Sequence, residues 1–178
     1  MFPPQTSLVA RSIDAFGPQS PAAAREQSIV DMLRYAETDT LCFHESEPKA
    51  LVRLQEEHWD PILDWVKERF GTRPVVAQDT LLVTQPTELL EALRNHVVSL
   101  KPLEMAGLEK CLHLTKSLYL SLALLDGRVT VQQAMLAAWV ETLAQMETWG
   151  EVEDSHDVGW AELGRELGAV RMTSALSV

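Results

Sequence analysis

The chain has 178 residues, 46% of them hydrophobic, and a formal net charge of −11 at pH 7. This length suits a single domain with a substantial core, and this hydrophobic content argues against global disorder. The negative charge argues against binding to nucleic acid or to an anionic membrane surface, since both require a basic patch. Cys42 and Cys111 lie far apart and offer neither a disulfide framework nor a zinc signature.

The first 21 residues are rich in proline, serine and glycine. This composition predicts a linker or arm over residues 1–21 rather than a core element. Residues 22–178 are then expected to form one helical domain. Its first helix covers residues 22–37, and a short extended or turning piece follows at 38–45. Pro48 opens the next helix, because proline is well tolerated in a first helical turn.

A cleaner helix start occurs at Asp60. Its carboxylate can cap the helix while Pro61 occupies the first helical position, and Gly71 ends the helix. The main strand-like run, at residues 81–83, is too short to build a sheet. Pro86 and Thr87 precede a further expected helix, which runs through Leu89 to Leu100 and is stopped or kinked by Pro102.

The most apolar part of the chain begins a predicted pair of long helices, at residues 107–125 and 130–148. Asp126-Gly127 is a usual place for a helix to end, and Thr130 with Gln133 forms a capping box that opens the second helix. The pattern predicts an all-α fold, a compact orthogonal bundle of about six to seven helices around this central antiparallel pair. Charged residues interrupt the apolar run too early for a membrane span, which needs about 20 apolar residues.

The usual catalytic motifs are absent from the sequence. There is no glycine-rich phosphate loop, no H-E-x-x-H and no G-x-S-x-G. Ser155, His156 and Asp157 contain the residue types of a catalytic triad, but adjacency in sequence is not triad geometry. The acidic loop around them, EVEDSHD, lacks the ordered ligand positions of a calcium loop. We therefore expect no catalytic residue, no cofactor and no metal, and a solvated acidic loop.

Two features are candidates for partner binding. Trp59 and Trp65 stand on either side of a helix start, so that one can pack inwards while the other faces a groove. The simpler interpretation is that both are core tryptophans. Glu141 follows a strongly apolar run, so it must face solvent, pair with a cation or await a partner. Exposure on the helix surface is the simpler interpretation there.

Several segments carry a recognisable series of motifs: residues 38–42 (TDTLC), 55–65 (QEEHWDPILDW), 70–71, 116–117, 123–127, 130–134, 141–150 and 156–157. In order and spacing, along nearly the whole chain, these segments together resemble the ATP synthase assembly factor 2 family, whose members chaperone the alpha subunit of the soluble catalytic head.

The resemblance implies a helical C-terminal domain that normally follows a smaller β-rich N-terminal domain. On that expectation this chain lacks the first domain and is a truncated product, a diverged short form or one piece of a split protein. The resemblance also implies a protein that shields the unassembled alpha subunit without nucleotide hydrolysis. An acidic residue eight positions before a Trp-Gly pair is important in the family, and Glu141 holds that position before Trp149. The family has further acids and an aromatic residue after it, where this chain has Thr142, Leu143 and Ala144.

The resemblance thus implies a non-enzymatic chaperone of the mitochondrial matrix that binds the alpha subunit, or another protein of the same complex. The expected partner-binding residues are Glu141, Trp59, Asp60, Trp65 and Trp149. One alternative is a family member that has become a permanent structural subunit of a mitochondrial complex such as ATP synthase. The cytoplasm of a related bacterium is the alternative location. A small enzyme using the acidic loop is a third, weakly supported interpretation.

Overall fold

The computed structural model describes residues 4–78, 83–150 and 156–176, and most of these residues are helical. The helices are α1 (Pro4–Phe16), α2 (Ala22–Arg34), α3 (Lys49–His58), α4 (Asp60–Phe70), α5 (Thr87–Ser99), α6 (Pro102–Thr115), α7 (Leu118–Leu125), α8 (Val131–Ala138), α9 (Val140–Trp149) and α10 (His156–Ala175). The strands β1 (Phe43–His44) and β2 (Ala77–Gln78) form one short parallel pair. The all-α fold class is confirmed. Residues 81 and 82 of the predicted strand-like run lie outside the described residues.

Each of the two predicted long helices is divided in the structure, so the bundle has more helices than the six or seven expected. The first break is at Lys116, which takes a left-handed conformation with φ 56°. Ser117 then caps α7 by accepting a hydrogen bond from the backbone N–H of Leu120 at 3.0 Å. The second break is at Trp139, which separates α8 from α9. The predicted capping box of Thr130 and Gln133 is present at the start of α8.

The leucine-rich helix α7 lies at the centre of the core. All eight of its residues are buried, and it packs against α4, α6, α8 and α10. Fully burying one leucine side chain stabilises a fold by about 1.5–3 kcal/mol, so this short helix contributes heavily to the stability of the core. Among the described residues, no helix is both long and apolar enough to cross a membrane.

A buried carboxylate holds the N-terminus of α7. The side chain of Asp39 accepts hydrogen bonds from the backbone N–H groups of Leu118 at 2.6 Å, Tyr119 at 3.1 Å and Leu41 at 3.0 Å. Burial raises the pKa of Asp39 to about 7, while hydrogen bonds from Ser117 and from the backbone oppose that rise. This one side chain therefore fastens the turn at residues 40–42 to the central helix.

The N-terminal stretch differs from the predicted arm. Residues 4–16 form helix α1, and its Leu8 and Phe16 are buried in the hydrophobic core. Arg11 on α1 donates two hydrogen bonds to the Glu109 carboxylate on α6, at 2.6 and 2.7 Å. The prediction was wrong here because it relied on the turn-forming residues at the two ends of this stretch. Between them, Leu8, Ser12 and Phe16 repeat every four residues and give α1 its buried face.

Candidate partner-binding groove

A surface groove of about 310 Å³ lies between the start of α3 and helix α9. The residues around it are Glu45, Pro48, Leu51, Glu141, Ala144, Gln145, Thr148 and Trp149. Glu141 and Trp149 are both exposed, and 78% of Trp149 is open to solvent. The groove therefore brings together two of the residues expected from the sequence to bind a partner.

The break at Trp139 determines where α9, and with it Glu141, is placed. The indole Nε1 of Trp59 donates a hydrogen bond to the carbonyl oxygen of Ala137 at 2.8 Å. In an uninterrupted helix that carbonyl would accept from the backbone N–H of residue 141. Trp59 supplies a substitute donor and so stabilises the change of direction between α8 and α9.

Helix α3 packs against α9 along the same side of the molecule. Arg53 on α3 donates to both carboxylate oxygens of Glu147 on α9, at 2.6 and 2.9 Å. Both side chains are about half exposed, so water screens their ion pair and it contributes little to stability. Both contacts come from the single nitrogen Nη2, so the pair links the two helices that flank the groove without the two-nitrogen fork of a bidentate arginine–carboxylate pair.

Carboxylates and apolar side chains share the groove. Pro48, Leu51 and Ala144 supply its apolar surface. Glu45 and Glu141 are exposed, and within the described part of the chain neither carboxylate has a cationic partner. The groove is therefore an apolar surface bordered by two unneutralised negative charges and one open indole ring.

The other expected site residues lie outside the groove lining. Trp59 and Trp65 are 2% and 7% exposed, and Trp65 packs edge-to-face against Phe70 with ring centroids 5.9 Å apart. Both are core tryptophans, as the simpler interpretation of the sequence has it. They offer no exposed aromatic anchor in this conformation.

Asp60 is also used differently from the sequence prediction. It belongs to the first turn of α4 and makes no side-chain capping hydrogen bond. Its carboxylate instead accepts a hydrogen bond from Arg73 at 2.7 Å, and Arg73 also binds Asp64 at 2.8 Å. The predicted cap was wrong because Trp59 holds the N-cap position and Asp60 already lies inside the first turn of α4.

The α3 side of the groove could not be predicted from the sequence. Pro48 marks the start of α3, but nothing in the sequence indicates that Leu51 and Glu45 face α9. The acidic loop was considered for chemistry, but residues 151–155 and the side chains of His156 and Asp157 lie outside the description. In the part that is described, no group of histidine, cysteine, aspartate and glutamate side chains could hold a metal ion.

Comparison with known proteins identifies similar chains. A family profile described as "ATP12 chaperone protein" matches residues 3–67. The mitochondrial protein atp12 of Schizosaccharomyces pombe is 27% identical over 177 residues, which covers 96% of this chain and 60% of that protein. The mitochondrial protein ATP12 of Saccharomyces cerevisiae is 30% identical over 200 residues, which covers 92% of this chain and 61% of that protein. The chain therefore spans about three fifths of the length of these relatives.

The fold is also similar to a solved structure. The crystal structure of Atp12 from Paracoccus denitrificans superimposes with a TM-score of 0.85 at 26% sequence identity. The match covers 98% of this chain and 72% of that one. The likeness thus extends well beyond the residues matched by the family profile, and it includes both helices that flank the groove.

Proposed function

This chain belongs to the ATP12 chaperone family, and from that premise we propose that it is an assembly chaperone that binds the alpha subunit of the ATP synthase catalytic head. Unassembled subunits expose apolar surface that drives aggregation. A chaperone that covers such a surface needs an accessible binding face and no reaction site. The proposal therefore assigns no catalysis to this chain.

The observation that carries the proposal is the groove between α3 and α9. It combines Glu141, at the position that is important in the family, with Trp149, the most exposed large hydrophobic residue in the described part of the chain. Exposed tryptophans beside an apolar surface are typical of protein–protein contacts, because the ring buries a large area on binding. We assign Glu141 and Trp149 to the contact with the alpha subunit, and Trp59 to the support of α9.

We place the protein in the mitochondrial matrix, where the catalytic head is assembled. Both relatives named above are mitochondrial proteins, which supports this location. The net charge of −11 suits a protein that acts in solution on another protein rather than on nucleic acid.

Co-purification of tagged chain with the alpha subunit tests the proposal. We expect the wild-type chain to retain the subunit and Glu141→Lys to lose it, because the substitution reverses a charge in the groove. Glu91→Lys is the matched control, since Glu91 is an exposed glutamate that lines a different groove, between α2 and α5. Equal retention by wild type and Glu141→Lys would remove this groove from the binding site.

Fractionation of mitochondrial extracts distinguishes a chaperone from a permanent subunit. We expect the chain to be present in less than stoichiometric amounts and to be absent from the mature ATP synthase. Co-migration with the mature complex at a fixed ratio would contradict the proposal and favour the structural subunit.

A further inference from the structure

We infer that the groove between α3 and α9 recognises a basic amphipathic segment of the partner, in which a lysine or arginine side chain stands next to an apolar residue. This inference rests on the proposed function, because it specifies the chemistry of the partner at the same groove. It assigns the cation to Glu45 and Glu141 and the neighbouring apolar side chain to the surface around Leu51.

The α3–α9 groove differs from the other surface grooves in the charge of the residues that line it. The groove between α2 and α5 contains Arg34 and Arg94 beside its glutamates. Two further grooves that border α6 contain Arg11. The residues that line the α3–α9 groove include glutamates but no lysine, arginine or histidine. Its negative charges are therefore left for an incoming cation to neutralise.

Trp149 lies where a cation bound in the groove could contact its indole ring. Trp149 is 78% exposed at the end of α9 and lines the same groove as Glu45 and Glu141, whose carboxylates have no cationic partner among the described residues. The face of an indole ring attracts a cation electrostatically, and more strongly when the pair is shielded from water. A carboxylate on the partner would instead be repelled by Glu45 and Glu141 and by the overall negative charge of the chain.

The groove also has an apolar surface, which is supplied by Pro48, Leu51 and Ala144. Lysine and arginine pack their aliphatic stems along such a surface while the charged end reaches a carboxylate. A neighbouring apolar side chain of the partner can occupy the remaining space. A metal ion is not indicated as the occupant, because the described residues contain no cluster of histidine, cysteine and carboxylate side chains that could hold one.

The experiment measures binding of labelled peptides to the full chain by fluorescence anisotropy. Three amphipathic helical peptides share the same apolar residues and carry arginine, glutamine or glutamate at the polar positions. We expect the arginine peptide to bind about tenfold more tightly than the glutamine peptide, and the glutamate peptide to bind weakest. Raising the salt concentration to about 0.5 M should reduce this preference, since it screens exposed charges.

Matched double variants locate the binding site. Glu45→Gln with Glu141→Gln should weaken binding of the arginine peptide about fivefold or more and leave the glutamine peptide unaffected. Glu37→Gln with Glu91→Gln removes the same charge from the α2–α5 groove, where both glutamates are exposed, and should change nothing. Circular dichroism establishes that each variant is folded. Equal binding of all three peptides, or equal effects of the two double variants, would overturn the inference.

The alpha subunit itself separates this inference from the proposed function. If the subunit binds but Glu45→Gln with Glu141→Gln and high salt leave its affinity unchanged, the inference fails and the chaperone proposal stands. If the arginine peptide binds at the groove but the subunit does not, the recognition chemistry stands and the proposed partner is wrong.

Discussion

Asp39 is a fully buried carboxylate in the protein core, and its surroundings have opposing effects on its pKa. Backbone N–H groups at the start of α7 favour its charged form, while removal from water favours its neutral form. Burial is the larger effect and raises the pKa of Asp39 from the ordinary 3.8 to about 7. The side chain that fastens residues 40–42 to the central helix is therefore also sensitive to pH.

The raised pKa predicts that Asp39 stabilises the fold best in acid. In the unfolded chain the group ionises near pH 3.8, whereas in the folded chain it keeps its proton up to about pH 7. The stability that Asp39 contributes is therefore complete below about pH 4 and is lost as the pH rises through 7, by at most about 4.5 kcal/mol for a pKa shift from 3.8 to about 7. Urea unfolding of wild type and Asp39→Ala should show a difference in unfolding free energy that narrows over this range.

Comparing the unfolding free energies of wild type and Asp39→Ala separates the effect of Asp39 from that of His44. Burial lowers the pKa of His44, so that histidine contributes stability that is lost as the pH falls through the same region. Because Asp39→Ala retains His44, its contribution cancels in the comparison. A difference that widens between pH 4 and pH 7 would contradict the assignment.

Trp59 and Trp149 are predicted to have separate roles, one in stability and one in binding. Trp59→Phe removes the donor to Ala137 and leaves a buried carbonyl unsatisfied, which should lower the free energy of unfolding by about 1–3 kcal/mol. Trp149→Phe at the exposed end of α9 should change stability by less than about 0.5 kcal/mol and weaken binding of the alpha subunit. Chemical unfolding and a binding assay on both variants check this, and an unchanged stability of Trp59→Phe would refute the role of its hydrogen bond.

At the scale of the elements, the all-α class, most helix positions and the buried leucine-rich segment were predictable from the sequence. The two helix breaks were not, because the apolar periodicity continues through both. Each break depends on a residue far away in the sequence. Asp39 binds the start of α7 from 79 residues away, and Trp59 binds the end of α8 from 78 residues away. Local pattern contains no information about such contacts.

Helix α1 supplies a direct test of whether the N-terminal stretch belongs to the core. Leu8 is buried in the hydrophobic cluster and Ile13 on the same helix is 62% exposed. Leu8→Ala should therefore lower the free energy of unfolding by about 2–4 kcal/mol. Ile13→Ala should change it by about 0.5 kcal/mol or less, since it leaves no cavity. If both substitutions changed the free energy of unfolding equally little, in thermal or urea unfolding, residues 4–16 would be an arm and not part of the core.

At the scale of the whole molecule, the groove shows how far sequence reasoning reaches. Glu141 and Trp149 are both among the residues that the sequence predicts to bind a partner, and their spacing of eight residues on one helix keeps them on similar sides of α9. Glu45 and Leu51 could not be assigned to the same surface, because only tertiary packing brings α3 beside α9. The burial of Trp59 and Trp65 depends on other contacts, with Ala137 at the end of α8 and with Phe70 on α4. The sequence therefore predicts one wall of the groove and the fold supplies the other.

The packing also predicts that the molecule unfolds as one unit. One hydrophobic cluster runs from Leu8 on α1 through α7 to Val170 on α10, so no helix has an independent core with which to remain folded. Helix content by circular dichroism and tryptophan fluorescence should show the same midpoint in urea. Leu122→Ala, at a fully buried position on α7, should lower both midpoints together and cost about 3 kcal/mol. Two separated transitions, or a shift in only one signal, would show that the cluster is energetically divided.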